Sequence, residues 1–211
     1  MRITLAAAAA ALALAACVGN LKSSDPQPLI YRIAAPELAG GDALEVDLLV
    51  ARPEAAPGLG TNRIATAWPG RRLDYYAGAR WAGDLPLMVQ SVAIEALAGA
   101  RRLRSVQGDL GRFRTTHVLS LKLESFEADY TGGGTPVARV ALAVTLGRQS
   151  DRQVLASFTV VIERPASANR LTEVVAVLDA AFARALTEVA TRSFDALQGD
   201  LVRPRAESAA R

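Results

Sequence analysis

Between His117 and Tyr130 apolar and polar residues alternate with a single slip of phase, and this stretch limits the fold more than any other. Leu119, Leu121 and Leu123 share one face, with Ser120, Lys122 and Glu124 on the other; the apolar positions then move to Phe126, Ala128 and Tyr130. A period of two describes a strand with one buried face. The slip near Ser125 predicts a β-bulge, whose extra residue keeps the apolar side chains on the same face. Two more strands follow. The Thr131–Pro136 segment, with three consecutive glycines, is a hairpin connection. Val140, Leu142, Val144 and Leu146 then form one inward face, and Val154, Ala156, Phe158, Val160 and Ile162 the next. From about Leu171 to Leu197, Leu171, Val174, Val175, Leu178, Ala181, Phe182, Ala185, Leu186 and Val189 fall on one helical stripe, with Asn169 placed to cap it. An apolar sheet face and an apolar helix stripe bury each other.

The first half of the chain reads in the same terms. In Leu44–Val50, positions 44, 46, 48 and 50 are apolar and 45 and 47 acidic, which predicts a half-buried strand. Pro53 to Gly60 reads as a loop, and Pro69-Gly70 as a tight turn between strands at Arg63–Trp68 and Arg72–Tyr76. A helix follows, with Asp84 as N-cap, Pro86 in the first turn and Gly99 at the end; Leu85, Met88, Val89, Val92, Ala93 and Ala96 make its apolar face. Arg101, Arg102 and Arg104 lie beyond its C-terminus, where positive charge complements the helix dipole. The order β, ββ, α, βββ, α predicts an α/β fold. It is one domain over residues 29–200, a mixed and mostly antiparallel sheet with two main helices packed on it. The Arg/Pro/Ala-rich stretch from Gly199 reads as frayed, and residues 201–211 as a flexible tail.

The N-terminus is a processing signal. Arg2 is followed by an apolar run from Ile3 to Leu14, then by Ala15-Ala16-Cys17, the pattern of a bacterial lipoprotein signal. The run is well short of the roughly 20 residues that span a bilayer. Residues 1–16 are thus expected to be removed, and Cys17, the only cysteine, to carry a covalent lipid such as palmitate. Residues 17–28 form a polar tether, and no later segment is long and apolar enough to span a membrane. With Val18 after the cysteine, and no aspartate, the expected address is the periplasmic face of the outer membrane. No cysteine is left for a disulfide, so packing alone must hold the domain.

Charge and residue chemistry exclude several classes. Removal of residues 1–16 takes away only Arg2 among charged residues, so the formal charge falls from +3 to +2. That is too near neutral to imply a nucleic-acid partner. A hydrolase needs a nucleophile with its base, but the single histidine, His117, stands at a strand end with its imidazole expected to be partly solvated. There is no Gly-x-Ser-x-Gly elbow, and metal-ligating types are scattered. Gly132-Gly133-Gly134 joins two strands and opens no helix, so it lacks a phosphate cradle's dipole. Glu124, Glu127 and Asp129 read as solvated charges on a strand. The expectation is a non-enzymatic protein without metal or other cofactor.

One window stands out. Trp68, Tyr75, Tyr76 and Trp81 are four of the chain's eleven aromatic residues, they fall within fourteen positions, and Arg63, Arg71, Arg72 and Arg80 are interleaved with them. Tyr, Trp and Arg are enriched where interfaces hold most of their energy, because each joins a large apolar area to a directional polar group. Trp68 reads as packed under the loop. Tyr76, Arg80 and Trp81 stay open between packing and partner contact.

Asn62-Arg63-Ile64 and the run Gly70-Arg-Arg-Leu-Asp-Tyr-Tyr-Ala-Gly-Ala-Arg-Trp-Ala-Gly-Asp-Leu-Pro86 resemble the signature of the ABC-type transport auxiliary lipoproteins, the PqiC-like family. The likeness extends to Leu123–Tyr130, Val154–Phe158 and the alanine-rich last helix; it departs at Thr61-Asn62, where an acidic residue is expected. The resemblance implies an anticodon-binding-like α/β domain. It also implies an auxiliary role in an ABC/MCE-type intermembrane lipid transport system, docking the MCE-domain conduit at the outer membrane, and assembly as a homo-oligomeric ring. Arg63, Tyr75, Tyr76, Arg80 and Trp81 are then the candidate partner-binding residues and Cys17 the lipid anchor. A phospholipid-binding carrier and a structural envelope lipoprotein are the alternatives.

Overall fold

The computed structural model describes residues 27–202. The signal segment 1–16, Cys17, most of the tether and residues 203–211 of the tail lie outside the described residues. Within them the elements are β1 (Leu29–Tyr31), β2 (Leu44–Val50), β3 (Glu54–Ala55), β4 (Arg63–Trp68), β5 (Arg72–Trp81), α1 (Leu85–Gly99), β6 (Leu103–Gln107), β7 (His117–Asp129), β8 (Val137–Arg148), β9 (Val154–Pro165) and α2 (Leu171–Val202). The segment read as a loop at Pro53–Gly60 thus contains a two-residue strand, and β1 and β6 are further additions to the expected order.

β7 organises the sheet. One flank carries three parallel neighbours end to end: β2 beside His117–Leu119, β3 beside Lys122–Leu123 and β4 beside Glu127–Asp129. The other flank carries β8, antiparallel along the full length of β7, with β9 antiparallel beyond it. β5 pairs antiparallel with β4, β1 parallel with β5, and β6 parallel with β2. The sheet is therefore mixed, its longest ladders antiparallel. The expected bulge is present: the β7–β8 register shifts between Leu123 and Ser125, leaving Glu124 as the extra residue. Leu119, Leu121, Leu123, Phe126 and Ala128 are all buried as a result.

One continuous core joins the sheet to both helices. α2 covers β7, β8 and β9, with Phe182 against Phe126 at 5.7 Å between ring centroids. On β9, an edge strand, only Val160 of the expected inward face is fully buried, and Val154 is exposed. α1 begins at Leu85 with Pro86 in its first turn, where the missing N–H costs nothing, and buries Val89, Val92, Ala93, Ala96 and Leu97. Among the described residues no helix is long and apolar enough to cross a membrane.

Five local expectations are corrected. Asp84 stands at the N-cap of α1 but its side chain makes no capping bond. Asn169 does not cap α2, because its side-chain oxygen accepts the Tyr130 hydroxyl at 2.8 Å. The arginines after α1 do not serve its dipole. Arg104 is on β6 and pairs with Asp47 and Glu45 of β2, while Arg102 lies 4.5 Å over the Phe194 ring. Arg104, followed by Ser105, holds the Asp47 carboxyl down to about 2. His117 is not solvated but buried: Nδ1 meets Thr116 Oγ1 at 2.8 Å and Nε2 meets Asp200 Oδ2 at 3.2 Å. Nor does the chain fray at Gly199, since α2 runs to Val202 and Asp200 also accepts Arg148 Nε at 3.1 Å. The Arg148 guanidinium, with His117 adding to it, holds the Asp200 carboxyl below the usual range.

Candidate docking site

The aromatic and arginine window folds as the β4–β5 hairpin, and a distortion in it decides where each side chain goes. Ala65 to Trp68 pair regularly with Tyr75 to Arg72, but Arg63 pairs with Arg80. Tyr76 to Ala79 therefore bulge out opposite Ile64. Gly78 takes φ +67 there, a left-handed conformation that a residue with a Cβ rarely adopts. The bulge turns Tyr76 inward and restores the strand in time for Trp81 to enter the core.

Trp81 is 1% exposed and meets Phe126 edge to face, with centroids 5.7 Å apart. It has no surface to offer, and its place as a partner-binding residue is corrected on that ground. Its indole Nε1 finds no hydrogen-bond partner among the described residues. Tyr76 is half-buried, and its hydroxyl oxygen lies 2.6 Å from that of Tyr130. Tyr130 gives its own proton to Asn169, so Tyr76 donates to Tyr130. Burial, and then this bond, hold the Tyr76 phenol well above the ordinary tyrosine range. Trp68 stacks flat on Tyr130 at 4.5 Å and donates Nε1–H to Thr66 Oγ1 at 3.0 Å; it remains half-exposed.

Tyr75, Arg63 and Arg80 make the accessible part. The Tyr75 hydroxyl donates to the Gly58 carbonyl at 3.0 Å, and the Arg63 guanidinium lies 3.7 Å over the Tyr75 ring. Arg63 and Arg80 are exposed and occupy facing register positions. Among the described residues neither has an acidic partner, and the same holds for Arg71 and Arg72 at the hairpin turn. Facing like charges disfavour each other unless an anion sits between them. Of the five residues expected to bind a partner, Arg63, Tyr75 and Arg80 thus share the accessible rim, Tyr76 is turned inward to Tyr130, and Trp81 is core.

The supposed solvated carboxylates differ among themselves. Burial pushes the Glu127 carboxyl up, opposed by a bond from Ser125 and by Arg139, whose register position faces it. Among the described residues no cluster of three or more His, Cys, Asp or Glu is placed to hold a metal. The Thr116 hydroxyl, beside His117, lies in bonding contact with both the backbone N–H and carbonyl of Asp47, a clasp between β2 and the residue before β7.

The sequence reading passed over one feature. In the loop between β6 and β7, Leu110 is 97% and Phe113 85% exposed, and the exposed Arg112 and Arg114 flank Phe113. The available signal was two large apolar residues in a Gly/Arg-rich segment that belongs to no periodic pattern.

A family model described as the ABC-type transport auxiliary lipoprotein component matches residues 31–190. No curated protein matches the chain. A solved structure from Xanthomonas campestris, assigned to the DUF330 family model, is similar with a TM-score of 0.77 and 28% identity, over 82% of this chain and 99% of that one. An uncharacterized protein has the same fold at a TM-score of 0.61 and 15% identity, over 79% and 99% of the two chains. A PelC dodecamer from Paraburkholderia phytofirmans is similar at a TM-score of 0.41 and 20% identity, over 73% and 90%, too loose a likeness to bear on assembly here.

Proposed function

The chain belongs to the ABC-type transport auxiliary lipoprotein family, and from that premise we propose that it is a non-catalytic docking component of an ABC/MCE-type lipid transport system. In this reading the lipid on Cys17 fixes the domain to the periplasmic face of the outer membrane. Bacterial lipoproteins carry several acyl chains on the cysteine, and at roughly 0.8 kcal/mol per buried CH2 that makes dissociation negligible. The folded domain then meets an MCE-domain protein or a neighbouring subunit of a ring through Arg63, Tyr75, Tyr76 and Arg80, with no cofactor and no covalent step.

The observation that carries the reading is the Arg63–Arg80 pair, exposed, facing and without an acid among the described residues. An acidic strip on a partner relieves that repulsion and gains from the rigid Tyr75 ring beneath Arg63. The carrier alternative has less support. An apolar groove between Arg32-Ile33 and α1, lined by Leu87, Met88 and Val92, holds about 270 Å³ and is open. That is below the roughly 300–1,000 Å³ of ordinary ligand pockets.

The test is co-purification from detergent-solubilised envelopes with the tagged full-length lipoprotein, wild type against Arg63→Glu/Arg80→Glu. We expect the wild type to bring down an MCE-domain protein and the charge-reversed form to lose it while keeping its fold. Equal recovery by both overturns the site. Stoichiometric phospholipid without a protein partner favours the carrier.

A further inference from the structure

We propose that the loop between β6 and β7 is a membrane-surface contact, with Leu110 and Phe113 entering the headgroup layer and Arg112 and Arg114 meeting lipid phosphates. The loop is held at its base and bare at its tip. Asp109 accepts the Arg52 backbone N–H at 2.8 Å and the Gln90 side chain at 2.7 Å. Gln107 donates to the Phe113 carbonyl at 2.8 Å, and Gln149 to Thr115 at 2.8 Å. Two large apolar side chains are thus displayed in water by a fixed backbone, and no packing inside the domain accounts for them. Phe and Leu beside a pair of arginines suit the boundary of a bilayer, where rings and alkyl groups go inward and guanidinium groups stay with phosphate. Arg112 and Arg114 have no acidic partner among the described residues, and the loop's one acid, Asp109, is turned to its own chain.

Composition favours a lipid surface over a protein. The tip presents four side chains, two large apolar and two cationic, the makeup of a membrane-surface contact. They suffice beside an existing lipid anchor, where each arginine near an anionic surface strengthens binding roughly fivefold. The geometry permits it. From Cys17 to Leu29 the chain reaches about 40 Å when extended. The loop enters β7 at His117, in the half of the sheet built on β2, whereas β1 and the Arg63–Arg80 rim belong to the half built on β4. Those halves are roughly 30 Å apart along β7, so a membrane against the loop leaves the rim free.

The proposal rests on anchoring through Cys17, and the experiment separates the two. The lipidated full-length protein is placed in nanodiscs of phosphatidylcholine with phosphatidylglycerol, and backbone hydrogen exchange over residues 108–116 is compared with that in detergent. We expect at least roughly tenfold slowing in that segment, lost in Leu110→Ser/Phe113→Ser and weakened in Arg112→Gln/Arg114→Gln. These side chains are exposed, so exchange in α2 and β7 stays unchanged. A retained protein whose loop exchanges as fast as in detergent overturns this contact alone. Protection that appears only when a protein partner is added also overturns it. A protein that leaves the nanodisc on washing overturns the anchor and this contact together.

Discussion

The Tyr76 hydroxyl ends 2.6 Å from that of Tyr130, which in turn donates to Asn169, so one relay joins the β5 bulge, the end of β7 and the segment before α2. Tyr76→Phe removes only the first donor and is expected to cost about 0.5–1.5 kcal/mol. Tyr130→Phe strands two partners and is expected to cost more, about 1–3 kcal/mol. Urea unfolding ranks them, and an equal cost contradicts the central place of Tyr130 in the relay.

Trp81 and Arg80 are neighbours in sequence with opposite roles. Trp81→Ala empties a core site against Phe126 and is expected to lose about 3–5 kcal/mol. Trp81→Phe keeps most of the contact, drops the unpartnered indole N–H and costs less. Arg80→Ala stays within about 0.5 kcal/mol of wild type in stability but lowers partner recovery. Thermal melts and the envelope pull-down read the two effects separately.

Acid sensitivity has a defined sign. The Asp47 carboxyl is lowered from 3.8 to about 2 by Arg104 and Ser105, and Asp200 is lowered chiefly by Arg148. A depressed carboxyl stabilises the fold above its unfolded pKa, and this contribution is lost as pH falls through the folded value. Asp47's share is therefore complete above about pH 4 and disappears towards pH 2. Urea midpoints measured between those limits should fall less steeply for Asp47→Asn than for wild type. Glu127 runs the other way, since burial raises its carboxyl. Glu127→Gln is expected to stabilise the protein slightly at neutral pH.

Gly58 sits at φ +90, and a Cβ there would run into the end of the Leu73 side chain on β5. Gly58→Ala is expected to destabilise by more than about 1 kcal/mol. Leu73→Ala in the same chain should recover the steric part but not the backbone part. A double-mutant cycle in urea measures the difference, and complete additivity rules out the clash.

The outcome differs along the chain for physical reasons. The β7 bulge was legible because a long alternation stands on both sides of Ser125, and α2 because its stripe continues for many turns. β1, β3 and β6 were not, since two to five residues are too short for a period to register. Trp81 was misplaced because Tyr76–Ala79 leave the ladder without breaking any visible pattern, so a strand that continues resembled a glycine-rich lead into a helix. Asn169 and Asp200 were misread through partners far away in sequence, Tyr130 and the Arg148–His117 pair, which no local spacing reveals. Arg63, Tyr75, Tyr76 and Arg80 were singled out by residue type and proximity alone; that signal places Arg63, Tyr75 and Arg80 on one accessible rim but does not show that Tyr76 turns inward to Tyr130.

The end-to-end arrangement of β2, β3 and β4 along β7 also orders events in time. Each of the three pairs in parallel with a strand that begins at His117, although β2 also pairs with β6 and β4 with β5. A chain that emerges N-terminus first therefore holds β2, β3 and β4 without this shared neighbour until β7 is out, and gains the cover of α2 later still. Delay of this kind keeps a polypeptide in an unfolded, threadable state while it passes through a narrow channel. Its second half acts as the mould for its first.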